Sequence, residues 1–370
     1  MKKLTLLIIT LTTFITSGCF LKEKDLGKML FPISIGLSYE EDKYKIYLQV
    51  LNTSALSIVE TETSQIDTTY ILIHEEEEDL NKALKKLGLK ALTYISAIKV
   101  KSIILHKSIF EDSPLDYHTI ANFFINSPLF RSKVQLFTTN TKLDEFYSVQ
   151  YSLVGSSVYS HTNEEEPVII KGFSNPSFLI DSLKSHQENK RSYHFPTMDV
   201  SEENIDSGDQ SGKLEKTKTY KYSGICFTTY NDNKAYDCLN KEEAMGYKWY
   251  SEQTYVNIEL KEKENPINVI IDKINWKTSI KNNKFNVNLK IKAVISFNLS
   301  SYSIEKIKGE INKEIKKDII DTLNISYNKN IDVYHLNDYA YRKNKNMKYN
   351  LNNVIVDIDT NIINSSYYKY

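Results

Sequence analysis

The stretch FNVNLKIKAVISFNL (285–299), followed closely by SIEKIKGEINKEIKKDIIDTL (303–323), holds two different apolar rhythms side by side. In the first, Phe285 to Val294 and Ile295 to Leu299 are rich in β-branched and aromatic residues and predict strands. In the second, Ile304, Ile307, Ile311, Ile315, Ile319 and Leu323 recur every three or four residues, which predicts one apolar stripe along a long helix. Such a stripe is expected to pack as core against a sheet. The polar side of the helix mixes Glu305, Glu310 and Glu314 with lysines, so it lacks the dominantly basic face of a membrane-surface helix.

Working outward, Val354 to Ile363 predicts a closing strand, and Val256 to Leu260 and Val269 to Ile274 predict strands before the helix. Further upstream, Tyr222 to Tyr230, a turn at Asn231-Asp232-Asn233, and Lys234 to Leu239 read as a hairpin. Residues 186–218 are polar and acidic with little periodicity, and read as an interdomain linker. The N-terminal part alternates. Ile33 to Leu37, Tyr44 to Val50 and Tyr70 to Ile73 predict strands, with a turn at Glu40-Glu41-Asp42. Glu75 to Asp79 then begins a helix carrying Leu80, Leu84 and Leu87, with Gly88 as its stop. Ile98 to Leu105 reads as a strand, Ser113-Pro114 opens a helix with Ile120, Phe123 and Phe124, and Val134 to Phe137 reads as another strand. The expected organisation is α+β in three domains with mixed β-sheets and packed helices: an N-terminal α/β domain over 19–185, the linker, a small β-rich domain over 219–255, and a C-terminal α+β domain over 256–370.

The 370 residues, with 47 basic and 47 acidic side chains, are too many for one small domain and too balanced in charge to hold nucleic acid through a global field. The seven histidines form no His-Glu-x-x-His pair and none lies beside a cysteine at zinc spacing, so no metal or cofactor is expected. No phosphate loop, dinucleotide fingerprint or nucleophile elbow is present, Val154-Gly155-Ser156-Ser157 lacking the pattern of the last. Asp332 and Glu242-Glu243 are carboxylates among many, and their residue types alone assign them no catalytic role. The chain is therefore expected to bind or assemble, not to catalyse.

Met1-Lys2-Lys3, the apolar Leu4 to Ile15, and Thr16-Ser17-Gly18 before Cys19 read as an export signal over residues 1–18. The apolar run is too short for a permanent span, which needs about 20 residues. Gly18-Cys19 resembles a bacterial lipobox, in which the Cys19 thiol takes the lipid and becomes the new N-terminus. Two or more acyl chains anchor a protein stably where one is marginal. Losing Lys2 and Lys3 leaves the chain slightly acidic, so its net charge adds little attraction to a membrane.

Taken in order, these features resemble the Ger(x)C (GerAC-type) family of spore germination lipoproteins. The resemblance runs through Gly18-Cys19 to Lys24-Asp25-Leu26, Ile35-Gly36-Leu37-Ser38 before the strand containing Gln49, Asn126-Ser127-Pro128-Leu129-Phe130-Arg131, and His194-Phe195-Pro196. Its strongest part is Gly224-Ile225-Cys226-Phe227, Asp237-Cys238-Leu239-Asn240 and Glu243-Ala244-Met245-Gly246-Tyr247-Lys248-Trp249, and it ends in the long helix, Ile331-Asp332-Val333-Tyr334-His335-Leu336 and Tyr341-Arg342. The resemblance implies a lipid-anchored C subunit of a nutrient germinant receptor, held by Cys19 on the outer face of the spore inner membrane beside A- and B-type membrane subunits, acting in assembly or signal coupling. It also implies structural roles for Gly246 and Trp249 in the small middle domain. The alternative is a lipoprotein that itself captures a small nutrient or peptide between its domains.

Cys226 and Cys238 are the cysteines left once Cys19 is lipidated. A three-residue loop at Asn231-Asp232-Asn233 would set Cys226 directly opposite Cys238, within reach of a disulfide in an exported protein. A two-residue turn would shift the register and point the two to opposite faces, leaving a reduced pair packed as small apolar groups.

Overall fold

In the computed structural model the described residues are 29–51, 70–91, 94–126, 133–149, 177–187, 192–206, 214–228, 236–251, 256–262, 265–298, 300 and 302–364. The export signal, Cys19 and the turn at 231–233 lie outside them.

The strands are β1 (Met29–Leu30), β2 (Pro32–Glu40), β3 (Lys43–Leu51), β4 (Tyr70–Glu77), β5 (Tyr94–Ile95), β6 (Ser102–His106), β7 (Gln135–Thr139), β8 (His194–Asp206), β9 (Leu214–Thr228), β10 (Tyr236–Asn240), β11 (Val256–Glu262), β12 (Asn265–Lys281), β13 (Lys284–Asn298) and β14 (Val354–Asn364). The helices are α1 (Leu80–Lys90), α2 (Ser108–Glu111), α3 (Tyr117–Asn126), α4 (Leu143–Ser148), α5 (Leu179–Gln187), α6 (Tyr247–Tyr250), α7 (Ile304–Asn328) and α8 (Leu336–Arg342).

Two mixed sheets organise them. An eight-stranded sheet runs β10-β9-β8-β7-β6-β2-β3-β4, parallel from β8 through β2 and antiparallel at both ends, and a four-stranded sheet runs β11-β12-β13-β14. In the second sheet β13 and β14 are parallel. A parallel pair needs a long crossover, and α7 supplies it. The Ser303 hydroxyl caps α7 by accepting from the Lys306 N–H at 3.3 Å. Ile307, Ile311, Ile315, Ile319 and Leu323 are buried under it, each worth about 1.5–3 kcal/mol of apolar burial. Ile304, expected on the buried stripe, is 47% exposed at the first turn of the helix.

Several expectations need correction. The polar stretch read as a linker carries much of β8 and β9, which pair from His194↔Phe227 to Asp206↔Leu214. Within it Phe195 and Met198 are buried, Met198 in one cluster with Tyr220, Tyr222 and Phe146 of α4, so the few apolar residues among the polar ones are core positions. β9 and β10, expected in a separate middle domain, are strands of the eight-stranded sheet. Glu75 to Glu77 complete β4, and α1 starts after them at Leu80, where the Asp79 carboxylate accepts from Asn81 and Lys82 N–H at 2.9 and 3.0 Å. The acidic run meets the lysines of α1 across space instead, with Glu75 paired to Lys90 at 2.8 Å and Glu77 to Lys86. Gly88 does not stop α1, which continues to Lys90. The helix expected at Ser113 starts at Tyr117, and the strand expected from Ile98 starts at Ser102. Phe285 to Asn298 form one strand, not two.

Candidate functional site

The segment from Gly224 to Ser251 is where the two sheets meet. β10 pairs with β9 so that Cys238 faces Cys226, the two sulfur atoms bonded and the Cα atoms 3.9 Å apart. Gly224, opposite Asn240, is needed for this approach, since a Cβ there would collide with the Leu239 carbonyl oxygen. At the end of β10 the Asn240 side chain accepts from the Glu242 and Glu243 N–H groups, and the Glu243 carboxylate accepts the Asn240 N–H, all at 2.9 Å. This reciprocal cap turns the chain toward α6.

The turn is then clasped by α7. Lys329 donates to the Cys238 carbonyl at 2.7 Å and pairs with Glu243 at 3.2 Å. The Gly246 N–H donates to Thr322 Oγ1 at 2.9 Å, and that hydroxyl donates onward to the Glu243 carbonyl at 2.7 Å. Gly246 lies against the helix backbone, where a Cβ would strike the Asp318 carbonyl and the Tyr334 hydroxyl and fall 2.8 Å from Ile319 Cα. Trp249 is fully buried, and its Nε1–H donates to Asp318 Oδ2 at 3.0 Å. Lys248 is also buried, 3.4 Å from the same carboxylate, with its ammonium 4.4 Å from the Trp249 ring centre. Burial pulls the Lys248 pKa down and Asp318 pulls it back up.

An aromatic chain continues the joint. His194 on β8 and Phe227 on β9 each lie 5.6 Å from Tyr247, which stands 5.7 Å from Tyr250. Tyr250 meets Trp276 on β12 at 5.2 Å and Tyr334 at 5.8 Å. Ile225, Phe227, Leu239, Tyr247 and Trp249 thus belong to the same core as β11–β14 and α7.

Asp318, Thr322, Lys248 and Lys329 were not singled out by sequence. The one signal for them is position: Asp318 and Thr322 follow the stripe residues Ile315 and Ile319 by three, on the flank of the buried face. Glu243 is a cap and an ion-pair partner. Asp332 is fully enclosed and accepts the Leu336 and Asn337 N–H groups at 2.8 Å at the start of α8; burial pushes its carboxyl up to about 7. Among the described residues no group of His, Cys, Asp and Glu comes together to hold a metal ion, and no helix is long and apolar enough to cross a membrane.

A cleft of about 810 Å³ opens at the carboxyl ends of β2, β6 and β7, lined by Glu40, His106, Lys107, Glu111, Asn140 and Lys142 among residues 39–142. Burial lowers the His106 pKa, and its Nδ1 lies 2.8 Å from Ser108 Oγ.

Residues 22–200 match the family model described as spore germination protein N-terminal domain, and residues 227–366 match the one described as spore germination B3/GerAC-like, C-terminal. The chain belongs to the GerAC-type spore germination family. A solved structure titled as the crystal structure of the GerBC protein is similar in fold, with a TM-score of 0.51 at 16% identity over 89% of this chain and 97% of that one. No curated protein sequence matches. The family places the chain in spore germination, in a group of receptor proteins associated with membranes and not known for enzymes. Both matched regions contribute to the joint: His194 lies in the first, and Cys238, Trp249 and Asp318 lie in the second.

Proposed function

We propose that this GerAC-family chain is the C subunit of a nutrient germinant receptor, lipidated at Cys19, held on the outer face of the spore inner membrane beside A- and B-type membrane subunits, and acting in assembly or signal coupling. The family match supports the receptor role, and one observation favours coupling: the clasp of α7 on residues 240–249, continued by the His194–Tyr247–Tyr250–Trp276 ring contacts, joins the two sheets through one packed core. Interiors packed in this way transmit strain instead of absorbing it.

Cys19→Ala in spores is expected to release the protein from the membrane fraction or leave it unprocessed, and to abolish its co-purification with the membrane subunits. Unchanged mature mass with unchanged membrane retention overturns the anchor, and absence of any membrane subunit from the wild-type complex overturns the receptor reading.

We further propose that Cys226 and Cys238 form a disulfide in the exported protein. Mass spectrometry of the mature chain without reductant should show two hydrogens fewer than the reduced form, and reduction should cost roughly 2–3 kcal/mol for so short a loop. Two alkylatable thiols in unreduced protein refute it.

Capture of a small nutrient or peptide is the second reading; the cleft at Glu40, His106 and Lys142 is the observation that favours it, and it lies within residues 39–142, not between domains as expected from the sequence. Titrating germinants onto the full chain distinguishes the two, since specific micromolar binding belongs to capture.

A further inference from the structure

Residues 273–292, the hairpin of β12 and β13, contain Lys273, Lys277, Lys281, Lys284, Lys290 and Lys292 and no acidic residue, in a chain of zero net charge. The register places all six on one face. Lys273 stands opposite Lys292 and Lys281 opposite Lys284, while Lys277 faces Asn288 and Lys290 faces Asn275. The alternate positions Phe285, Val287, Leu289 and Ile291 are buried in the core that includes α7, so the lysines point away from the helix, and all six are exposed. Ser279 and Asn286 complete the face on this hairpin, which there holds Lys, Asn and Ser with no arginine and no ring, and the neighbouring β14 adds Ile355, Asp357 and Asp359 to the same face.

None of the six makes an ion pair among the described residues. Two acids share the face on β14, Asp359 directly opposite Lys290 but 3.7 Å from Lys308, and Asp357 opposite Asn288, so they offset part of the strip's charge at its β14 edge; Glu259 lies on β11 opposite Asn268. Asp272 occupies the register shift at the start of the strip. Like charges directly opposite on a sheet are destabilising, so two Lys–Lys pairs in one hairpin work against the fold.

We propose that this lysine face of the four-stranded sheet docks on an anionic phospholipid surface. The shape and the chemistry agree. The face is a strip about 26 Å long at the usual strand rise, without a cleft. Lysine is a hydrated point charge that suits a diffuse layer of phosphates, whereas a shaped phosphate or peptide site favours the arginine fork and aromatic platforms absent here. Exposed Ile355, opposite Asn286 on the same face, adds an apolar contact at headgroup depth. The inference rests on the reading that the chain sits at a membrane, and gives it a second attachment whose strength depends on lipid charge, as one-chain-plus-basic-patch anchors do.

The test is lysine acylation of the full-length chain mixed with vesicles of phosphatidylcholine, or of phosphatidylcholine with phosphatidylglycerol, mapped by peptide mass. Flotation with neutral vesicles reports the N-terminal anchor independently of the face. Lys273, Lys277, Lys290 and Lys292 should react about 10-fold or more slowly on the anionic vesicles than on the neutral ones, with exposed Lys82 on α1 unchanged. Raising salt to about 1 M, where charges are screened beyond about 3 Å, should restore their reactivity. Replacing those four by Gln in the full chain should abolish protection of Lys281 and Lys284. Equal reactivity on both vesicle types overturns the proposal even where flotation succeeds. Protection that appears only in membranes containing the other receptor subunits also overturns it, assigning the face to an acidic protein.

Discussion

Trp249→Ala should lower the unfolding free energy of the full chain by about 3–5 kcal/mol, the range for emptying a buried aromatic site. The ring is fully buried between the β10–α6 turn and α7, and its loss also strips Asp318 of the Nε1–H donor and Lys248 of the ring under its ammonium. Denaturant unfolding followed by far-ultraviolet circular dichroism measures it. Trp249→Phe, which keeps most of the volume, should cost less. A Trp249→Ala variant within about 0.5 kcal/mol of the parent contradicts the packing role, and one that folds normally yet loses nutrient response makes Trp249 a recognition residue.

Asp318→Ala should cost a similar amount for a different reason. The Asp318 and Lys248 side chains are 14% and 10% exposed, so removing the carboxylate leaves a cation with little water around it. Breaking one side of a buried pair typically costs about 3–5 kcal/mol, whereas replacing both sides by apolar groups is often neutral. Lys248→Met in the Asp318→Ala background should therefore recover most of the loss. If the double variant is no more stable than Asp318→Ala alone, the penalty lies in the lost Trp249 hydrogen bond and not in the stranded charge.

Both variants act at the joint, and the joint was only half legible. Gly246 and Trp249 could be singled out because a glycine and a tryptophan have few interchangeable neighbours in a family resemblance. Asp318, Thr322 and Lys329 could not. Each is one polar residue among many on a lysine- and glutamate-rich helix, and nothing in local spacing says which of them a segment 69 to 91 positions away will reach. The lysine strip was hidden for a related reason. Net charge sums over the chain, while the strip arises because a two-residue period and one antiparallel register bring six like charges to one face.

What the sequence determined by itself was periodic or local. The stripe at Ile307, Ile311, Ile315, Ile319 and Leu323 defined a long helix with one buried side, and the apolar content of Phe285 to Asn298 defined strand, because 3.6- and 2-residue rhythms follow from backbone geometry alone. Tertiary structure decided the rest. The acidic run at Glu75 to Glu77 has charge enough for a helix start, yet it pairs with Tyr44 to Ile46 because an edge position beside β3 was open to it. Residues 194–206, read as part of a polar linker, pair with 214–228 in the longest ladder of the eight-stranded sheet, where backbone hydrogen bonding to a partner strand and burial of Phe195 and Met198 outweigh the polar composition. That partner is chosen by the whole chain and leaves no trace in the local pattern.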